Sequence, residues 1–196
     1  MKLNFKKLRI SKSELRSFIL TLIATLAGVF IAIFLTNSGI RKKEKEDTIK
    51  LLNTSRLILT DTKAYSQILV RTVKELEKDT INNNNEKISQ MKENNPIPFP
   101  YLLETIITNE IISKNMSEYS HSQIYTGLIN LKKLANYQMV ETYEQLLSEL
   151  ITLIGLEIQY QKGDLDIDKI ESRMKTKRKE LKKKYTNKNI LEISTE

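Results

Sequence analysis

The sequence predicts an all-α fold: one N-terminal transmembrane helix continuing into a long helix, then a small helical bundle. Three observations predict it. Residues 17–40 hold 24 positions without a charge, most of them apolar. Downstream, apolar residues recur three and four apart, the spacing that stacks side chains on one helix face. No segment shows the alternation of a half-buried strand.

Residues 1–16 form a basic tail with a net charge of +5. The stretch that follows, SFILTLIATLAGVFIAIFLTNSGI, is long enough at about 1.5 Å per residue to cover a ~30 Å hydrocarbon core. A secretory signal has a shorter apolar region of roughly 7–15 residues and a small-residue cleavage site, so an uncleaved anchor is expected. Basic residues flank both ends: six Lys/Arg in residues 1–16 and six in residues 41–56. Short basic tails resist translocation, whereas long domains cross largely regardless of charge. The expected arrangement is a cytoplasmic N-terminus and an extracytoplasmic domain, in the inner (plasma) membrane. Ser17, Thr21, Ala24, Thr25, Gly28, Ala32 and Thr36 gather on one face, opposite Leu22, Leu26, Val29 and Ile33. Small residues let helix backbones approach closely in lipid, so this face is the candidate packing surface. Membrane helices are also rich in such residues by composition alone.

Residues 41–79 contain no Gly or Pro, and Leu52, Leu59, Ser66, Leu69, Val73 and Leu76 recur at helical spacing. A long helix leaving the membrane is expected, its first two charged turns forming a solvated stalk. Residues 80–100 read as an Asn/Pro-rich linker, with residues 86–93 either a helical turn or irregular. Pro100 is placed to start the next helix.

Three amphipathic segments follow in residues 101–188. Leu103, Ile107 and Ile111, with Leu102 and Ile106, line the first; Ile124, Leu128, Leu131 and Ala135 line the second. Tyr143, Leu146, Leu147, Leu150, Ile151, Ile154 and Ile158 give the third the widest apolar face, as expected of the central core helix. Gly163 suits a left-handed helix end, and Asp164 or Asp166 the next N-cap. Ile167, Ile170, Met174, Leu181 and Tyr185 mark a last, highly charged helix. Five helices after the span are expected, with a tail at residues 189–196.

Composition narrows the chemistry. Cysteine is absent and His121 is the single histidine, which excludes thiol catalysis, thiolate sites and multi-histidine metal centres. The net charge of +8 resides in the ends: residues 173–188 carry +8 and the portion between the two basic ends −5. That distribution argues against a nucleic-acid partner. Asp164, Asp166 and Asp168 open like a calcium loop, but Lys169 and Lys175 occupy the positions that need Gly and Glu. His121 lacks a catalytic constellation, and carboxylate pairs such as Glu141 with Glu144 read as solvated surface. No cofactor, no metal and no enzymatic activity are expected. The basic surface of Arg173, Lys175, Lys177, Arg178, Lys179, Lys182, Lys183 and Lys184 suits an anionic lipid surface or an acidic partner, or is simply a solvated face.

The segment GVFIAIFLTN (residues 28–37), followed by a Lys/Glu-rich helix, resembles a family of uncharacterised bacterial single-pass membrane proteins. Gly28-Val29, Ile31-Ala32 and Asn37 match the ladder with which members leave the membrane; Gly39 stands where they often carry Trp. Tyr125-Thr126-Gly127-Leu128 and Tyr143-Glu144-Gln145-Leu146 are similar to the family's Tyr-x-x-Leu helix and closing aromatic helix. The resemblance implies an anchor plus a helical domain and no activity. The expected function is protein–protein association, with the chain's own copies or within a larger membrane complex. The alternative expectation is an extracytoplasmic ligand-sensing bundle that signals through a partner.

Overall fold

The computed structural model describes residues 12–78, 85–136 and 140–193. Among these the protein is all-α, with seven helices: α1 (Lys12–Lys78), α2 (Asn85–Asn94), α3 (Tyr101–Ile107), α4 (Glu110–Asn115), α5 (Glu118–Asn136), α6 (Val140–Lys162) and α7 (Ile167–Ile193). The chain divides into two compact units, Met1–Lys43 and Glu44–Glu196. The basic N-terminal tail to residue 11, Asn82 to Asn84 of the asparagine run, and the end of the C-terminal tail lie outside the described residues.

The described part of the first unit is helical. Every position from residue 16 to residue 43 is exposed, including Phe18, Phe30 and Phe34. Two threonines close their hydroxyls onto the helix itself: Thr21 Oγ1 donates to Ser17 O at 2.9 Å and Thr25 Oγ1 to Thr21 O at 2.8 Å. No free hydroxyl donor is left at these two positions.

In the second unit α6 is the central helix. Tyr143, Leu147, Leu150, Leu153, Ile154, Leu156 and Ile158 are buried along it, and Leu146 and Ile151 pack at the margin. Each buried Leu or Ile contributes roughly 1.5–3 kcal/mol by leaving water. Side-chain bonds fix the directions of the neighbours. At one end Gln161 Nε2 donates to Asn115 O at 2.7 Å, next to Lys114, which pairs with Glu44 at 2.9 Å. At the other end Gln67 Nε2 meets Glu144 at 3.4 Å, and Tyr185 Oη lies 2.9 Å from Ser148 Oγ. The α1 segment of this unit, α5 and α7 therefore all run antiparallel to α6.

The buried seam of α1 follows a four-three repeat: Thr48, Leu52, Ser55, Leu59, then Thr62 and Ser66. Its hydroxyls bond to the carbonyls four residues back at 2.7–2.9 Å, so small polar residues sit against the core without seeking outside partners. Thr48 is fully buried and Glu44 is ion-paired, which corrects the expectation of a wholly solvated stalk.

The remaining corrections concern helix ends and faces. The expected single segment from Tyr101 is two helices, broken at Thr108–Asn109, because Asn109 turns extended and its side chain caps Ile111 N at 2.9 Å. The break rotates the face, so Ile112 is buried rather than Ile111, and Leu102 is 59% exposed. Residues 85–94 form a helix within the expected linker, which with the split raises the expected five helical pieces. Pro100 occupies the N-cap of α3, one position before its first helical residue. Gly163 has φ +87°, with Gly163 N bonding Tyr160 O and Asp164 N bonding Gln159 O, both at 2.9 Å. These two bonds satisfy the Gln159 and Tyr160 carbonyls near the end of α6, and the positive φ suits glycine. Asp166 directly precedes α7, while Ile167 is half-exposed rather than in the core.

Candidate functional site

Three surfaces and one buried cluster carry the chemistry of the described residues. The first surface is the small-residue face of α1. Ser17, Thr21, Ala24, Thr25, Gly28, Ala32 and Thr36 are all exposed, and a Cβ placed on Gly28 would meet nothing within 4 Å. The face is open for close backbone approach.

The second surface is α7. Arg173, Lys175, Lys179, Lys182, Lys183 and Lys184 are exposed, and Lys177 pairs with Glu180 at 2.6 Å. Arg178 departs from the expected basic surface. Its Nε donates to Glu149 at 3.1 Å and its guanidinium Nη2 to Gln123 at 2.7 Å, so it joins α5, α6 and α7. Helical phase explains this, since Arg178 follows Ile170 and Met174 at four-residue steps on the core side. It also reaches Tyr119: burial pushes that phenol above its ordinary 10.0, Arg178 pulls the other way, and Glu171 adds to the rise.

The third surface was not foreseen from the sequence. The α3 and α5 helices pack antiparallel, with His121 Nε2 at 3.2 Å from Ile107 O at one end and Lys132 Nζ 5.7 Å from the Phe99 ring at the other. Between these ends Leu102, Tyr125 and Ile129 are exposed, with Tyr101 edge-on to Phe99 at 4.8 Å. Tyr101, at 67%, is likewise an exposed large apolar side chain of this pair of helices.

The buried cluster surrounds Glu157, which is fully buried in α6. Its carboxylate accepts Ser117 N at 3.0 Å, Ser117 Oγ at 2.6 Å and Gln161 Nε2 at 3.0 Å. Ser117 precedes the first residue of α5, and its Oγ accepts Ser120 N at 3.3 Å. Glu157 thus caps the N-terminus of α5 from a neighbouring helix, where the helix dipole favours a negative group. Ser120 Oγ is buried beside it without a partner among the described residues. The sequence signal was a lone carboxylate within the apolar run Leu153-Ile154-Gly155-Leu156-Glu157-Ile158.

Glu144 is another correction: it is buried, not solvated, while the side chain of Glu141 lies outside the described residues. Glu144 stands at the edge of an open cleft of about 380 Å³ lined on α1 by Gln67, Val70, Arg71 and Lys74. Beside it, Tyr143 donates its hydroxyl to Pro98 O, and burial holds that phenol well above the ordinary value. Asp166 is held below the ordinary carboxylate value by its hydrogen bond from Lys169 and the attraction of that ammonium. Among the described residues no three His, Asp or Glu side chains converge on a point where a metal could sit. One helix there, α1, is long and apolar enough to cross a membrane. Comparison with protein-family models, with curated proteins and with solved structures finds no match to this chain.

Proposed function

We propose that the chain is a non-enzymatic, single-pass inner-membrane protein whose helical module mediates protein–protein association. The observation that carries this reading is the uncovered apolar length of α1. Phe18, Phe30 and Phe34 are each at least 65% exposed, and exposed leucines and isoleucines flank them along the helix outside the small-residue face. Apolar surface left in water costs about 25 cal/mol per Å², so a bilayer is the solvent that fits. The charge-flanked apolar stretch supports the same reading. With the basic tail retained in the cytoplasm, the second unit is extracytoplasmic.

Association is supported by the open face at Gly28 within lipid and by the Tyr101, Leu102, Tyr125 and Ile129 surface outside it. Gly28→Leu tests the first contact. Energy transfer between tagged copies, or recovery of crosslinked partners, should fall. Unchanged transfer together with unchanged co-purification would remove the packing claim. A reporter fused to the C-terminus reads the side of the membrane.

The open cleft beside Glu144 favours a second reading, a ligand-sensing bundle. Thermal stabilisation of the full chain by a small molecule, lost in Glu144→Gln, would support it over the association module.

A further inference from the structure

We propose that the outward face of α7 docks on an anionic phospholipid surface, a lipid contact separate from the anchor. Lys175, Lys179, Lys182 and Lys183 follow the spacing that aligns side chains on one helix face. All four are exposed, and none forms an ion pair with a described residue. Ser172 and Thr176, also exposed, lie between them, and the exposed Glu171, one turn before Lys175, marks the edge of this face. The nearby Glu180 is occupied by Lys177 at 2.6 Å.

Three features favour lipid over other anionic partners. The apolar side of α7 is committed to the core, with Ile170 1% and Met174 0% exposed, so the helix meets a partner through charge alone. The face is lysine throughout, and Arg178, in the same stretch of helix, lies on the core side, bonded to Glu149 and Gln123. Lysine ammoniums are compact, strongly hydrated point charges that suit diffuse attraction to many headgroups, whereas bidentate recognition favours arginine. Lysine is depleted in protein–protein interfaces, and the face offers no aromatic or aliphatic anchor for a dry contact. It also lacks the aromatic platforms on which single-stranded nucleic acids stack.

Attraction of a basic residue to an anionic leaflet is worth about fivefold in binding, so four lysines together supply on the order of 10²- to 10³-fold. The contact rests on the anchor reading, which holds the chain at a bilayer.

The chain has no native cysteine, so Thr176→Cys gives a single labelling position on this face. The full chain carrying a fluorophore there is reconstituted into lipid discs bearing headgroup quenchers. One set is pure phosphatidylcholine and the other an equal mixture with phosphatidylglycerol. Quenching is expected only in the anionic discs. It should vanish near 1 M salt, where the screening length falls to about 3 Å. It should vanish also when the four lysines are replaced by glutamine. A control label at Asn130→Cys, exposed on α5, should show no dependence on those lysines. Equal signals in both discs, or quenching that survives the glutamine replacements, overturns the proposal. Absence of quenching, with the label responding instead to soluble polyglutamate, replaces lipid by an acidic protein. A chain that fails to enter the discs refutes the anchor reading alone. The same label is then read against vesicles of the two compositions, with the same outcomes deciding.

Discussion

Removing the Glu157 side chain should be among the most damaging single changes to the second unit. Glu157→Ala strips acceptors from Ser117 N and Ser117 Oγ, at 3.0 and 2.6 Å, in a site without solvent exposure. Gln161 Nε2 keeps its bond to Asn115 O and loses less. Two orphaned buried donors cost ~1–3 kcal/mol each, and relief of the buried charge offsets part of this. The expected net loss is about 3 kcal/mol, or a fall in Tm of roughly 6–12 °C for a unit of this size. Glu157→Gln separates hydrogen bonding from charge. An amide oxygen at the Oε1 position still accepts from Ser117 N and Gln161. The amide nitrogen at the Oε2 position can donate to Ser117 Oγ, so its cost is about 1 kcal/mol. Thermal and denaturant unfolding of the detergent-solubilised chain, followed by circular dichroism, measures both. Adding Ser117→Ala completes a double-mutant cycle, and a coupling above about 1 kcal/mol is expected for directly bonded groups. Glu157→Ala within ~0.5 kcal/mol of the parent chain, or no coupling to Ser117, would show that the carboxylate does not hold the start of α5.

Two further predictions probe the α6 packing. Tyr143 has a phenol raised above 10.0 by burial, so its contribution is intact below that pH. It is lost as the solution rises through 10 toward the folded value, because only the unfolded chain then ionises. Tyr143→Phe should cost about 1 kcal/mol near neutrality through the lost bond to Pro98 O, yet flatten the alkaline limb of the stability profile. An unaltered alkaline limb in urea titrations counts against this. A Cβ on Gly127 would lie 2.6 Å from Leu150 Cδ2, and Leu150 is 3% exposed. Overpacking of about 2 kcal/mol should outweigh the ~1 kcal/mol gain in helix propensity, making Gly127→Ala net destabilising. In a Leu150→Ala background the same change should stabilise. A more stable Gly127→Ala in the parent chain contradicts the close approach.

Periodicity carried most of the helical architecture. Leu52 and Leu59, the α6 face from Tyr143 to Ile158, and the glycine after α6 were all legible because they depend on local phase. Tertiary choices were less legible. The break at Asn109 interrupts a run whose apolar spacing stays helical, and only the cap bond to Ile111 reveals it. Arg178 has the same charge as its lysine neighbours, so composition placed it on the surface. Its phase with Ile170 and Met174 was the overlooked signal. Glu144 and Glu157 were hidden for a related reason: a buried carboxylate is tolerated only where donors from distant residues meet it. Two of those donors, Gln67 and Ser117, come from outside α6 and have no fixed sequence relation to the carboxylate they meet. Only Gln161, one turn after Glu157, was within local reach. The Tyr125–Ile129 surface arose from helix packing that leaves apolar residues uncovered, which no pattern on one helix announces.

The hydroxyl-lined seam of α1 has a mechanical consequence. Because Thr48, Ser55, Thr62 and Ser66 bond to their own helix, they create no latch to a neighbouring one. Ratcheting this segment by one turn, about 5.4 Å, would keep those four bonds intact. The resistance would come from Leu52 and Leu59 leaving their places, and from the ties of Glu44 to Lys114 and Gln67 to Glu144. The register of this segment therefore rests on its leucines and on those two ties rather than on its hydroxyls, while α7 is held by the Arg178 and Tyr185 bonds.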